Sequence, residues 1–372
     1  MLPRDVKRPI QLGFSPTGVN EKKMHQIIEL QQQLLPDLLD VMSKRYSILH
    51  QVMLSDLIGR RALASTLGMT ERVLRAETDL LKSQGLLEIY PNGMRISEAG
   101  KELLEKLEPF YKSLIGLNQL EEKIRAHFKL KQVIVVAGDS DISPQTKREL
   151  GKAGSQVLGK MLRPNDVVAI TGGSTLAQVA NQLTAPAPLK TNLFVPARGG
   201  LGESLDYQAN TLASTMAKRT GAHYRLLHVP DHLGEEAFAS IMQEPTIREM
   251  VKVIRSARIV VHGIGEAAVM ARRRKLDEKE IEEMAQEGAL AEAFGFYFDK
   301  NGSVVHKNQT VGLHLEDIVN TEVVIGVAGG KSKAEAITAI MRFGHDDVLV
   351  TDEAAAHDII AFIEEEEQHK LS

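Results

Sequence analysis

Three short stretches of the chain combine glycine with hydroxyl or cationic residues in a way that suits anion binding. In "VVAITGGSTLAQVA", residues 167–180, four apolar residues run into Thr171, Gly172, Gly173, Ser174 and Thr175, and a helical pattern follows. Backbone N–H groups and two hydroxyls at a helix N-terminus favour an anion, because the first-turn donors have no intrahelical partner and the helix dipole is positive there. "VVIGVAGGKSKAEAI", residues 323–337, repeats the arrangement and adds Lys331 and Lys333. "LFVPARGG", residues 193–200, supplies Arg198, whose planar guanidinium is suited to gripping phosphate with two hydrogen bonds. Two separated anion seats and an arginine point to a sugar carrying one or two phosphates.

Blander readings stand beside these. A Gly-Gly pair after a strand also serves as a plain tight turn. "GVAGGKS" misses nucleotide P-loop spacing, which needs four residues between Gly and Gly-Lys; Gly326 stands one too late, so an ATPase is excluded. Arg272-Arg273-Arg274-Lys275 reads mainly as a solvated charge run with room for one side chain to turn inward. His262, beside Gly263 and Gly265, reads as a packed or capping residue and is assigned no catalysis. Glu292 in "AEAFGFYFD" either accepts hydrogen bonds from sugar hydroxyls or lies exposed, and Gln208 either reads a hydroxyl or is an ordinary helix-surface residue. The chain has no cysteine, which removes disulfides, thiolate metal sites and cysteine nucleophiles together. No catalytic residue, metal or cofactor is expected.

The elements that must position these groups follow from the apolar pattern. Runs at residues 133–137, 167–170, 193–195, 224–227, 259–261, 323–327 and 348–350 alternate with helical segments, which predicts a Rossmann-like, mainly parallel sheet covered on both faces. Loops leaving the carboxyl ends of such strands lie along one edge and can meet over a common crevice. Residues 131–372 are read as this α/β effector domain, and the 372-residue length leaves space for a second domain.

That second domain lies at residues 23–107, after a lead at 1–22 expected to be flexible, and is joined by a linker at 108–130; residues 103–127 read as a charged, Leu-rich helical stretch broken at Pro109 and Gly116. Apolar positions from Met24 to Met42 recur at helical spacing, with a kink or restart at Pro36, and residues 21–50 are expected to contribute to a homo-oligomer contact. Residues 60–97 read as a winged helix-turn-helix. Leu63 and Leu67 mark a short helix, Thr70 caps a second one carrying Leu74, Leu80 and Leu81, and Pro91-Asn92-Gly93 joins the two strands of a wing. Between Lys44 and Lys101 nine basic and six acidic residues make the segment net +3, so the rest of the chain carries −7 of the total −4. Positive charge therefore collects where a duplex would dock. Arg60, Thr70, Arg72, Arg75 and Arg95 are the expected DNA contacts, with Thr70 and Arg72 nearest base edges and Arg95 on phosphate. No apolar run approaches the roughly 18 residues that cross a bilayer, and residues 1–14 lack the unbroken apolar block of a signal peptide; a cytoplasmic location without membrane contact is expected.

With a winged helix ahead of "AITGGSTLAQVA", "VPARGG", "FGFYFD", "GVAGGKSKAEAI" and "VLVTDEAAA", the chain resembles the SorC-type bacterial transcriptional regulators from about residue 23 to 362. The resemblance implies a repressor of the glycolytic operon that binds double-stranded operator DNA as a tetramer. It also implies a sensor domain similar to the sugar-phosphate isomerase and deaminase fold, controlled by fructose-1,6-bisphosphate or a related phosphosugar. Carried onto this chain, Gly173, Ser174 and Thr175 hold one phosphate with Lys333, Arg198 and Arg273 reach the other, and Gln208 and Glu292 face the sugar. The choice among Arg272, Arg273 and Arg274 stays open. The rival reading is a phosphosugar isomerase with Lys333 as a Schiff-base amine; against it, no carboxylate and histidine pair stands near the loops, and an isomerase has no use for a winged helix.

Overall fold

Of the two outcomes expected at Pro36, the helix restarts: Leu34 is helical, Leu35 is not, and a helix begins again at Pro36. In the structure, a computed structural model that describes residues 34–371 except 56, 186, 201–203 and 232, and only the backbone at 36 and 369–371, this helix spans Pro36–Ser55. Proline suits the first helical position, where its missing N–H would have no partner anyway. The expected lead at 1–22 and the apolar positions Met24, Ile27 and Ile28 lie outside the described residues.

The chain divides into two compact units, residues 1–116 and 117–372. In the first, helix Arg60–Thr66 is followed by helix Glu71–Ser83, whose N-cap Thr70 accepts a hydrogen bond from the Val73 N–H at 3.3 Å. Strands β1 (Leu87–Tyr90) and β2 (Gly93–Ile96) pair antiparallel with Leu87 opposite Ile96, forming the wing. Leu63, Leu74, Leu81, Leu87 and Met94 are buried in one core with Tyr46, Ile48 and Leu104. The next helix, Glu98–Leu114, passes through Pro109, where a break was expected, because Glu105 and Pro109 both face solvent and the orphaned carbonyl can be hydrated. The break comes at Gly116, with φ +78°.

The second unit begins inside the stretch expected as a linker. Helix Leu117–Phe128 buries Leu117 and Ile124, and its Glu121 accepts a hydrogen bond from the Val135 N–H at 2.8 Å. Seven parallel strands follow in the places the apolar runs predict: β3 (Gln132–Val136), β4 (Val167–Ile170), β5 (Leu193–Pro196), β6 (His223–Tyr224), β7 (Ile259–His262), and, after an inserted sheet, β12 (Val323–Val327) and β13 (Val348–Asp352). Their order is β3-β13-β12-β7-β4-β5-β6. Val168, Ile170, Val261, Ile325 and Val350 are fully buried, as unbroken apolar strands covered on both faces must be. The order reverses between β4 and β7, and in such a sheet the crevice opens at that switch point, beyond the carboxyl ends of the strands.

The inserted sheet was not anticipated as a sheet. Strands β8 (Gly265–Glu266), β9 (Ala291–Ala293), β10 (Phe296–Phe298) and β11 (Val304–Lys307) form an antiparallel sheet in the order β11-β10-β9-β8. Phe294 and Gly295, both at positive φ, make the two-residue turn between β9 and β10. No helix among the described residues is long and apolar enough to cross a membrane.

Candidate functional site

A cavity of about 350 Å³ opens at the switch point. Gly172, Gly173, Ser174, Thr175, Arg198, Gln208, Arg273, Glu292 and Lys333 all line it, and so does Lys147, which the sequence reading did not single out. The loop after β4 forms its floor. A Cβ on Gly172 would stand 2.6 Å from the Tyr207 carbonyl oxygen, and Gly173 has φ +131°, so neither position accepts a side chain without strain. The Gly173 N–H donates to that same carbonyl at 2.8 Å and is no longer available to a ligand. Helix Ser174–Gln182 then starts with no side-chain cap on its N-terminus. Its first-turn N–H groups, with the Ser174 hydroxyl and the buried Thr175, are the donors this loop offers.

Around that helix end three cations converge. Burial, reinforced by Arg273, holds the Lys147 ammonium below its ordinary pKa against the opposing pull of Asp141. Lys333 is lowered as well, first by burial and then by Lys147 and Arg273, which together outweigh Asp141 and Glu266. Like charges held close in a half-closed cavity are the electrostatic counterpart of an anion.

The glycine loop after β12 differs from its expected role. Its Gly330 N–H donates to Asp352 at 2.7 Å, the Lys331 N–H to Asp139 at 3.4 Å and the Ser332 N–H to Asp141 at 2.8 Å, while the Ser332 hydroxyl donates to Asp141 at 3.2 Å. The protein's own carboxylates occupy the anion position there, and the loop contributes Ser332 and Lys333 to the cavity lining.

The Arg198 Nη1 donates to Glu292 at 3.1 Å and its Nε lies 3.4 Å from Asp231, with the whole side chain buried. The guanidinium expected to meet phosphate is thus engaged with two carboxylates on the wall of the cavity that it lines. Of the arginine run, Arg272 is exposed, Arg273 lines the cavity, and Arg274 turns inward to Asp231, Glu292 and Tyr297. Glu292 is buried: burial opposes its ionisation, but Arg274, Arg198 and the Gly295 N–H prevail and hold its carboxyl down to about 2. Gln208 stands at the N-cap position of helix Ala209–Thr220 without a side-chain cap, and its Oε1 stands 3.4 Å from where a Cβ on Gly200 would lie. His262 is fully buried, hydrogen-bonded to Asp346 at 2.9 Å and packed on Phe294. That is a core position. Among the described residues no group of three or more His, Asp or Glu side chains could hold a metal ion.

In the first unit, Thr70, Arg72, Arg75 and Arg95 are exposed, on the second helix of the motif and on the wing. The acids beside the two helix arginines have other partners: Glu71 lies 3.4 Å from Arg61, and Asp79 lies 3.6 Å from Arg60. Arg60 is thus tied to the motif's own packing, while Arg72 and Arg75 point outward from a helix whose opposite face holds Leu74 and Leu81.

Residues 112–361 match the sugar-binding domain family, and residues 41–111 match the CggR N-terminal DNA binding domain. The central glycolytic genes regulator of Priestia megaterium (strain DSM 319 / IMG 1521) is 50% identical over 338 residues, which cover 91% of this chain and 99% of the relative. That of Bacillus subtilis (strain 168) is 46% identical over 337 residues with the same coverage. A crystal structure of a SorC family transcriptional regulator from Enterococcus faecalis superposes with a TM-score of 0.60 at 42% identity, covering 65% of this chain and 99% of that one. With both domains matched and about half its residues shared with full-length regulators, the chain belongs to the SorC-type family of sugar-binding transcriptional regulators and is not an enzyme.

Proposed function

We propose that the protein represses glycolytic genes in the cytoplasm, binding operator DNA as a homo-tetramer and changing its grip when a phosphosugar, fructose-1,6-bisphosphate first among them, enters the cavity. The observation that carries this reading is the meeting of Lys147, Arg273 and Lys333 over an uncapped helix N-terminus. One phosphate takes the N–H groups and hydroxyls of Ser174 and Thr175 with Lys333 and Lys147. Arg273 serves the second phosphate, and Glu292 and Gln208 face the sugar. Arg198 frames that wall through Glu292 and Asp231 and does not grip phosphate itself. On the DNA side, helix Glu71–Ser83 lies in the major groove with Thr70, Arg72 and Arg75, and Arg95 follows the backbone.

The names of the full-length relatives support the gene target, and the cavity chemistry supports a phosphorylated ligand. A ligand alters DNA affinity only as far as it binds the two conformations of the regulator differently. Anisotropy of a labelled operator fragment titrated with protein, with and without fructose-1,6-bisphosphate, tests both halves at once. The reading expects the sugar to shift the midpoint without being consumed. It also expects Arg72→Ala to relax base preference by about 1–3 kcal/mol, and Arg95→Ala to weaken all sequences alike. An unmoved midpoint, or a sugar converted to product, contradicts it.

A further inference from the structure

Behind the cavity wall lies a closed set of four charges, two of which have no role so far. Arg274 and Asp231 are both buried. Arg274 donates from Nε to Asp231 Oδ2 at 3.0 Å, from Nη1 to the Tyr297 hydroxyl at 3.0 Å, and from Nη2 to Glu292 Oε1 at 2.7 Å. Arg198 donates to the same Glu292 Oε1 at 3.1 Å, and so does the Gly295 N–H at 2.7 Å. Three donors therefore converge on one carboxylate oxygen, and Oε2 is left for the cavity that Glu292 lines. The backbone holds this frame in place. The Gly199 N–H donates to the Val311 carbonyl at 3.2 Å, the Gly200 N–H to Val229 at 2.9 Å and the Asp231 N–H to Gly200 at 2.9 Å. A Cβ on Gly312 would come within 2.2 Å of the Ala197 carbonyl oxygen, so the two loops touch backbone to backbone.

We propose that Arg274 and Asp231 are positioning residues for ligand specificity: they fix Glu292 as an ionised acceptor whose free oxygen takes a sugar hydroxyl and turns away phosphate. Resting on the phosphosugar reading above, this makes the two walls of the cavity chemically opposite. One is cationic and reads phosphate; the other presents a carboxylate and reads hydroxyls. The fork matters because a guanidinium meets two carboxylates and a phenol at once in a planar geometry that an ammonium cannot copy. Without it, burial prevails and the Glu292 carboxyl titrates upward, toward neutral pH. The charged or titratable groups facing Glu292 are Arg198 from the loop after β5, Arg274 at the end of helix Ala267–Arg273, Asp231 through both arginines, and Tyr297 on β10 through Arg274.

The test compares two probes by calorimetry: fructose-1,6-bisphosphate, and inorganic pyrophosphate, which has two phosphates and no hydroxyls. Wild type should prefer the sugar. Arg274→Lys should lose roughly tenfold to a hundredfold in sugar affinity while its pyrophosphate affinity stays at the wild-type value. Its sugar affinity relative to wild type should fall further between pH 7.5 and 5.5, a comparison in which the phosphates' own titration cancels. A merely structural role would lower both ligands together and leave that ratio flat. Asp231→Asn, which keeps the volume, carries the same expectations if Arg274→Lys fails to fold. Equal loss of both probes, or a pH-independent ratio, overturns the positioning role while leaving the phosphosugar reading intact. Wild type that binds neither probe overturns both.

Discussion

The loops after β4 and β12 share a sequence pattern, a Gly-Gly pair leading through serine into a helix, yet they reach opposite chemical states. After β4, helix Ser174–Gln182 starts with no side-chain cap, and Lys147, Arg273 and Lys333 stand with it around the cavity. After β12, the N–H groups of Gly330, Lys331 and Ser332 are taken by Asp352, Asp139 and Asp141. A glycine pair thus settles where the backbone goes, but carboxylates far away in the chain decide whether the exposed donors remain available to a ligand. In this domain the carboxylates at the β12 loop leave Lys333 as that loop's only polar contribution beyond Ser332 to the cavity lining.

The largest effect should come from removing the acid that closes the β12 loop. Asp352 is fully buried and accepts from the N–H groups of Gly330, Ser140 and Ala355 at 2.7, 2.8 and 3.0 Å. Asp352→Ala strands several donors at once and should destabilise the sugar-binding domain by about 3 kcal/mol or more, read by denaturant unfolding. Added phosphate should not restore it. A loss below about 1 kcal/mol would mean that the two loops are not in different states after all.

Next in size is the cationic wall. Lys333→Met and Lys147→Met should each lower phosphosugar affinity by about 1.5–3 kcal/mol, yet leave the unliganded melting temperature unchanged or higher, since each removes a partly buried charge repelled by its neighbours. Both lysines titrate below their ordinary value in the folded state. The unfolded chain therefore binds more protons on the alkaline side, and the stability of the unliganded protein should rise as pH climbs toward the ordinary lysine value. Phosphate reverses the shift, so binding at mildly alkaline pH should take up protons, measured by calorimetry in two buffers of different ionisation enthalpy. Proton release would break the comparison.

The smallest effect belongs to Asp141, which holds the β12 loop and also faces both lysines. Asp141→Asn keeps an acceptor for Ser332 but removes one negative charge from the cavity mouth. Phosphosugar affinity should rise by about 0.5–1 kcal/mol, and an unchanged or weaker affinity would place Asp141 outside the ligand's field.

The parallel sheet was legible because each strand is a short apolar run between turn-formers, and the winged helix because Thr70 and the Pro91-Asn92-Gly93 turn are local signals. That Thr175, Arg198, Arg273, Glu292 and Lys333 line one cavity follows from topology, since strand-end loops on one edge must meet. The partners of those residues were not legible. Asp139, Asp141, Asp231 and Asp352 act across long separations and carry no pattern of their own, and Lys147 sits one turn into helix Pro144–Met161 where any charged residue would look solvated. The inserted sheet stayed hidden because strands of two to four residues are too short for alternation to show. Helix Leu117–Phe128 was legible as a charged helical stretch, but its place in the second unit was not, with only Leu117 and Ile124 marking the buried face.

The central claim is that the uncapped helix end after β4 is a phosphate seat used for sensing. Calorimetric titration of fructose-1,6-bisphosphate into wild type and Thr175→Val tests it most directly, because valine keeps the buried volume and removes only the hydroxyl. The account predicts one saturable site per chain in wild type and an affinity weaker by roughly tenfold or more in the variant. Superimposable isotherms, or no heat in either protein, would contradict it.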